Sequence, residues 1–274
     1  MPIVTIPSSP LRPGAGPVRI FYRESGAGRP LLLLHGGWGD AIYPFDRQAA
    51  ALGGRFHLYG PDRSGYGGSG RLTALDVRFH QQAAAETFAV LDALGLDRVS
   101  IWGHSDGAVI GVQMALERPA RCDRLILEAF HFYRHKPGSR AFFAGMAADP
   151  DTIDARVARV LAAEHGEDYW RTLIRLHGRA WLALADERPA PGADLYDGRL
   201  SDLRVPVLIL HGRRDPRTEP GEIEAVRQAL PDARVVMLEQ GGHSPHAEAT
   251  AADDATRAAL AFLDEPEGEP HGRT

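Results

Sequence analysis

Cysteine is nearly absent: Cys122 stands alone in 274 residues. No disulfide can therefore close within the chain, and a reducing, cytoplasmic setting is expected. A basic stripe is missing as well. The formal net charge is only -5, with arginines and acidic residues interspersed, so neither nucleic acid nor an anionic membrane is expected as a partner. No apolar run approaches the roughly 20 residues that a spanning helix needs. No charged-then-apolar leader precedes a small-residue cleavage site, and Pro2-Ile3-Val4-Thr5-Ile6 reads instead as an edge strand. The histidines are scattered, and His243-x-x-His246 has no third ligand set near it, so no metal site is expected. Cys122 itself is expected to be a small buried residue rather than a nucleophile.

What is present is an alternating pattern. Apolar content of 44% over 274 residues can bury the core of one domain carrying an insertion. Strand signals fall at 2–6, 18–23, 31–35, 55–60, 98–103, 124–129, 205–211 and 233–238. The later ones are continuous apolar runs, as strands covered on both faces require. Helical patterns lie between them, most clearly at 76–94, 105–118, 219–229 and 247–263, and alternation of this kind argues for a parallel sheet. Between the strands ending near 129 and beginning near 205 the alternation stops. About seventy residues there carry two or three helical patterns, including 152–164 and 168–185, and would sit over the strand ends as a lid. The domain reading is a core over 1–129 and 204–264, a helical lid over 130–203, and a disordered polar tail over 265–274, with disorder expected to begin just after Phe262.

The chemistry concentrates at Gly103-His104-Ser105-Asp106-Gly107, which joins the run Val99-Ser100-Ile101-Trp102 to a helical pattern. G-x-S-x-G at a strand-to-helix junction holds a serine on a sharp turn, exposed beside a helix N-terminus. A serine hydroxyl is a poor nucleophile near neutral pH, so it needs a base, and the base needs an acid to fix its tautomer. Asp215 follows the strand ending in His211-Gly212, and His243 follows the last strand. Serine, acid and histidine thus come in the order this architecture expects. His211 and His246 compete with His243, and Glu128, at the end of the preceding strand, competes with Asp215. His35 and His104 read as turn and packing residues, and Asp62 and Arg63 as loop braces. The turn His35-Gly36-Gly37-Trp38-Gly39 offers backbone amides for a developing oxyanion. These are assigned to Gly37 and Asp106, with Trp38 the alternative to Gly37.

These motifs resemble the α/β-hydrolase superfamily across nearly the whole chain. The resemblance rests on His35-Gly36-Gly37-Trp38-Gly39-Asp40, Asp62-Arg63-Ser64-Gly65-Tyr66-Gly67-Gly68-Ser69, the Ser105 pentapeptide, His211-Gly212-Arg213-Arg214-Asp215 and Gly242-His243-Ser244-Pro245-His246-Ala247-Glu248. It implies an α/β fold with a mostly parallel central sheet flanked by helices, a helical lid, no cofactor, and hydrolysis through an acyl-enzyme. The leading expectation is a serine hydrolase of small carboxylic esters. Cleavage of an amide, a lactone or a C–C bond by the same residues, or ligand binding without turnover, are the alternatives. Dehalogenase and epoxide hydrolase chemistry is disfavoured, because the resembled enzymes carry aspartate where this chain has Ser105.

Asp106 is the unusual member. A bare carboxylate about 7 Å from a forming oxyanion would cost roughly 2 kcal/mol at an effective dielectric near 20. It must be turned away, paired, or used to hold a cationic group such as the ammonium of an α-amino acyl ester. Ser105-Asp106-Gly107 with Asp168-Tyr-Trp-Arg-Thr172 is similar to the biphenyl hydrolase-like, or valacyclovir hydrolase, branch, although the His35-Gly36 start departs from it. Trp38, Asp106, Phe130 and Trp181 are the expected substrate contacts. Other lid aromatics, among them His131, Phe142 and Phe143, are candidates to line the pocket or to pack it. The sequence implies a small-molecule substrate and leaves the oligomeric state open.

Overall fold

In the computed structural model, which describes residues 2–188, 190 and 192–266, the apolar runs become strands. They are β1 (Ile3–Ile6), β2 (Val18–Gly26), β3 (Arg29–Leu34), β4 (Phe56–Pro61), β5 (Val99–His104), β6 (Cys122–Glu128), β7 (Val207–Gly212) and β8 (Arg234–Leu238). All join one sheet in the order β1-β2-β4-β3-β5-β6-β7-β8. β2 is antiparallel to β1 and β4, and the remaining pairings are parallel. Parallel neighbours need crossovers. These run through α1 (Asp46–Leu52), α2 (Phe79–Ala93), α3 (Asp106–Glu117), α7 (Glu222–Ala229) and, after the last strand, α8 (Ala252–Leu263) closes the layer.

Period-two geometry explains why the middle strands are apolar throughout. Leu32, Leu34, Ile101, Leu125, Leu127 and Ile209 face one buried layer, packed with Val109 and Val112 of α3. Their neighbours Leu31, Leu33, Trp102, Ile126, Leu208 and Leu210 face the other, packed with Phe262 of α8. Each fully buried leucine of this kind contributes about 1.5–3 kcal/mol relative to exposure. β1, at the edge, is buried only at Ile6. Cys122 is buried at the start of β6 and burial pushes its thiol up to about 12, which leaves it inert.

Among the described residues, three α-helices separate β6 from β7: α4 (Pro137–Ala148), α5 (Ala155–His165) and α6 (Trp170–Glu187). Asp154 caps α5 by accepting from the amides of Arg156 and Val157. The helix expected from 247 begins at Ala252, because Ser244–Ala251 winds through successive turns first. Disorder does not begin after Phe262. Leu263 completes α8, and Arg124 donates to the carbonyls of Glu265 and Pro266; the rest of the expected tail, 267–274, lies outside the described residues. Among the described residues no helix is long and apolar enough to cross a membrane.

Candidate active site

Ser105 sits between β5 and α3 with φ 53° and ψ −117°, a left-handed conformation that a side chain adopts only under constraint. The constraint is the tight reversal of strand into helix. A Cβ on Gly103 would run into the Gly107 carbonyl, and one on Gly107 into the Leu34 carbonyl. The Ser105 carbonyl starts α3 by accepting from Ala108 N at 2.9 Å, and its amide donates to Glu128 O at 2.9 Å. The hydroxyl is left at the mouth of the strand ends, where Ser105 and His243 are only partly buried.

His243 arrives from the loop after β8 and Asp215 from the loop after β7. His243 Nε2 is 3.2 Å from Ser105 Oγ, and Nδ1 is 2.9 and 3.0 Å from the two oxygens of Asp215. A carboxylate can only accept, so Nδ1 donates and the Nε2 lone pair faces the hydroxyl. Burial alone would raise the Asp215 carboxyl. Its hydrogen bond and charge interaction with His243, with help from His211 and the Arg217 amide, hold it well below the ordinary carboxylate range.

The competitors are engaged elsewhere. Glu128 accepts from Trp102 Nε1, His246 Nδ1 and the His246 amide, all at 2.8 Å. His246 Nε2 donates to Tyr43 O at 2.9 Å, so this second carboxylate–imidazole pair is closed on itself. His211 Nε2 lies 2.6 Å from Thr218 Oγ1. His104 Nε2 donates to His243 O at 3.0 Å, and burial, with His246 and His243 nearby, lowers its ring to about 3, so it stays neutral.

The glycine-rich turn after β3 lies against the nucleophile. A Cβ on Gly36 would press on the His104 ring and approach Ser105 Cβ. Its carbonyls are drawn away one after another: Arg63 takes those of His35 and Gly36, Tyr66 OH that of Gly37 at 3.1 Å, and His165 Nε2 of α5 that of Trp38 at 3.0 Å. Asp62 braces the next loop, accepting from Gly68 N at 3.0 Å and Arg23 at 2.7 Å.

Two expected substrate contacts are placed differently. The Asp106 carboxylate is buried and accepts from His177 Nε2 at 2.6 Å, Trp181 Nε1 at 3.1 Å and His80 Nε2 at 3.2 Å. Burial opposes its charge, but His177 and His80 outweigh that and hold the carboxyl well below its usual range. The group is paired, and both oxygens are spent on α2 and α6. Phe130 is fully buried with its ring stacked on Tyr196 at 5.5 Å, and its neighbour His131 reaches Ser105 in its place. Trp38 stacks on Phe142 of α4 at 5.7 Å, and the Trp181 ring stacks on Phe143 and meets His131 edge-on.

Sequence reasoning missed two polar side chains of the site, Lys136 and His177, and read His131 only as an aromatic that lines or packs the pocket, not as a partner of Ser105. A Cβ on Gly37 would strike His177 Nε2, so this histidine of α6 lies directly on the glycine-rich turn. The available signal was polarity inside apolar context, His131 between Phe130 and Phe132, and Lys136 as the sole lysine of the chain.

Comparison with known proteins places the chain in a family. Residues 31–258 match the model of the alpha/beta hydrolase family. The chain is 30% identical over 251 residues to the pimeloyl-(acyl-carrier protein) methyl ester esterase of Nitrosomonas europaea, covering 82% of this chain and 93% of that protein. It is 25% identical to the serine hydrolase BPHL of Homo sapiens, covering 84% and 78%. Among solved structures, a thermophilic esterase from Thermogutta terrifontis superposes with a TM-score of 0.73 at 21% identity, covering 98% of this chain and 100% of that one. With a family match across most of its length and the fold to go with it, the chain belongs to the α/β-hydrolase family and is a hydrolase.

Proposed function

We propose that this protein cleaves small carboxylic esters through an acyl-enzyme on Ser105. The observation that carries the reading is the unbroken line from Asp215 through His243 to Ser105 Oγ, with bonds of 2.9 and 3.2 Å. His243 takes the Ser105 proton as Oγ attacks the carbonyl carbon, then gives it to the departing alcohol. A water, deprotonated by the same imidazole, releases the acid. Asp215 holds the ring in the required tautomer. The amides of Gly37 and Asp106 receive the carbonyl oxygen as it becomes negative; each such donor contributes about 2.7–4 kcal/mol to the barrier reduction. The turning away of four successive carbonyls from the Gly37 turn supports this assignment.

Residues 130–203 act in this reading as a lid over a core of 1–129 and 204–264, with Trp38, Phe142 and Trp181 as apolar walls around the acyl group. The occupied carboxylate of Asp106 favours a neutral acyl group over an α-amino acyl one. The ester reading also accords with the names of the relatives, a methyl ester esterase among them.

The test is hydrolysis of a neutral acetyl ester beside a matched α-amino acyl ester near neutral pH, with Ser105→Ala as the blank. Turnover that favours the neutral ester and falls on the order of 10⁴-fold or more in Ser105→Ala is expected. Turnover unaffected by Ser105→Ala would refute the reading.

A further inference from the structure

Ser105 Oγ faces two imidazoles, and the reaction just described uses one. His131 Nε2 lies 3.3 Å from Oγ, beside His243 Nε2 at 3.2 Å. The two rings are stacked, 26° apart in plane with centroids 5.7 Å apart, so both nitrogens approach one oxygen from neighbouring directions. His131 is brought there by a kink. Ala129 has φ 50° although it is not glycine, and the chain leaves β6 in a conformation that costs energy and tends to mark a functional site.

The far side of the ring is held by charge. His131 Nδ1 is 2.9 Å from Lys136 Nζ, whose ammonium also lies 2.9 and 2.8 Å from the two oxygens of Glu222. Lys136 is only 4% exposed and Glu222 1%. The one lysine in the chain is thus spent in the interior, next to the nucleophile. An ammonium has protons to give and no lone pair to offer, so His131 Nδ1 must accept and the ring proton must sit on Nε2, facing Ser105. Asp215 imposes the opposite tautomer on His243. Ser105 Oγ can therefore donate to His243 while accepting from His131.

We propose that His131 is a catalytic residue, a neutral N–H donor locked in place by Lys136 and Glu222, which steadies the departing alkoxide and suits the site to esters of unactivated aliphatic alcohols. This rests on the esterase reading above. In the tetrahedral intermediate Oγ and the leaving oxygen share one carbon, so a donor that reaches the first reaches the second with a small shift. As the C–O bond breaks, its electron pair goes to the leaving oxygen and the proton comes from His243 Nε2. His131 keeps its own proton and supplies a hydrogen bond only. An aryloxide leaves with little help, whereas an aliphatic alkoxide carries more charge and gains more from a preorganised donor.

The donor must not become a cation. The charged and titratable groups facing the ring are Lys136, Glu222 of α7, His243, Asp215 and Asp106. Burial, then Lys136 and His243, keep the ring well below its ordinary value. Lys136 and Glu222 are positioning residues in this scheme.

The experiment compares native protein with His131→Phe, which keeps a flat ring and removes the N–H, on acetate esters running from 4-nitrophenyl through phenyl and trifluoroethyl to ethyl. The loss in kcat/KM should grow along the series, from about tenfold or less for nitrophenyl to about 10²–10³-fold for ethyl. A second variant, Lys136→Met with Glu222→Gln, keeps the imidazole but frees its tautomer. It should lose activity in the same leaving-group-dependent way, and its pH–rate profile should gain a further ionisation on the acid limb as His131 returns toward its ordinary value. Losses equal for every ester in either folded variant, or no loss at all, would overturn the proposal. Absence of Ser105-dependent turnover of any ester by the native protein would instead overturn the esterase reading and this proposal with it.

Discussion

Two buried carboxylates meet two histidines at the end of the sheet, and the residues around them decide their different roles. Asp215 bonds a histidine whose other nitrogen is turned to the Ser105 hydroxyl, while Glu128 bonds one whose other nitrogen is satisfied by the Tyr43 carbonyl. Asp215→Asn should therefore lower kcat by about 10⁴-fold through the wrong histidine tautomer, with little change in thermal unfolding. Glu128→Ala leaves Trp102 and His246 buried without their acceptor and should destabilise the fold by about 3–5 kcal/mol. Kinetics and thermal melts on the two variants check the division; the reverse pattern would exchange their roles. At this scale the juxtaposition of Ser105, Asp215 and His243 was legible because each follows a strand end, a position that periodicity can locate. It did not disclose Lys136 or His177, nor the approach of His131 to Ser105, because these rest on contacts to Glu222, Asp106 and Ser105 that lie remote in the chain. Asp106 was legible as a problem, a charge beside the nucleophile, and its answer lies in His80 and His177, far along the sequence.

Among the elements, the end of α5 is what fastens the helical segment to the glycine-rich turn. His165 donates to Trp38 O at 3.0 Å and accepts from Gly67 N at 3.0 Å, and Glu164 accepts from Asp40 N at 2.9 Å. Asp40 is crowded there. Burial first, with Glu164 and Asp62 adding to it against the pull of Arg23, raises its carboxyl from 3.8 to about 6. The folded state thus holds this proton more tightly than the unfolded chain. Its contribution is fully present below pH 3.8 and is lost as pH rises through about 6. The difference is on the order of 3 kcal/mol. Asp40→Asn should melt higher than native protein above about pH 7 and show no such gain near pH 4, because Arg23 keeps its partner Asp62. A gain independent of pH would exclude the titration as its cause. Legibility was lower here than for the strands. α1 has seven residues, and neither it nor α4 has a side-chain cap, so neither carries the Ser, Thr, Asp or Asn cap signal that marks the start of α5. The strands were legible because a buried parallel sheet demands unbroken apolar runs.

For the molecule as a whole, the sheet does two things at once. Its faces bury alternate leucines in two layers, and its strand ends deliver one part of the site each: the glycine-rich turn after β3, Ser105 after β5, His131 after β6, Asp215 after β7 and His243 after β8. Convergence at the carboxyl ends of parallel strands is the general rule for open α/β sheets, which is why order along the chain predicted proximity in space. The central claim is that Ser105 is the one nucleophile. The most direct measurement is to treat the protein with a neutral 4-nitrophenyl alkylphosphonate, follow loss of esterase activity, and map the adduct by peptide mass. The account predicts one phosphonyl group per chain, on Ser105, formed in step with the loss of activity and absent from Ser105→Ala. Activity that survives full modification, or an adduct on Cys122 or a histidine that accounts for the loss, would contradict it.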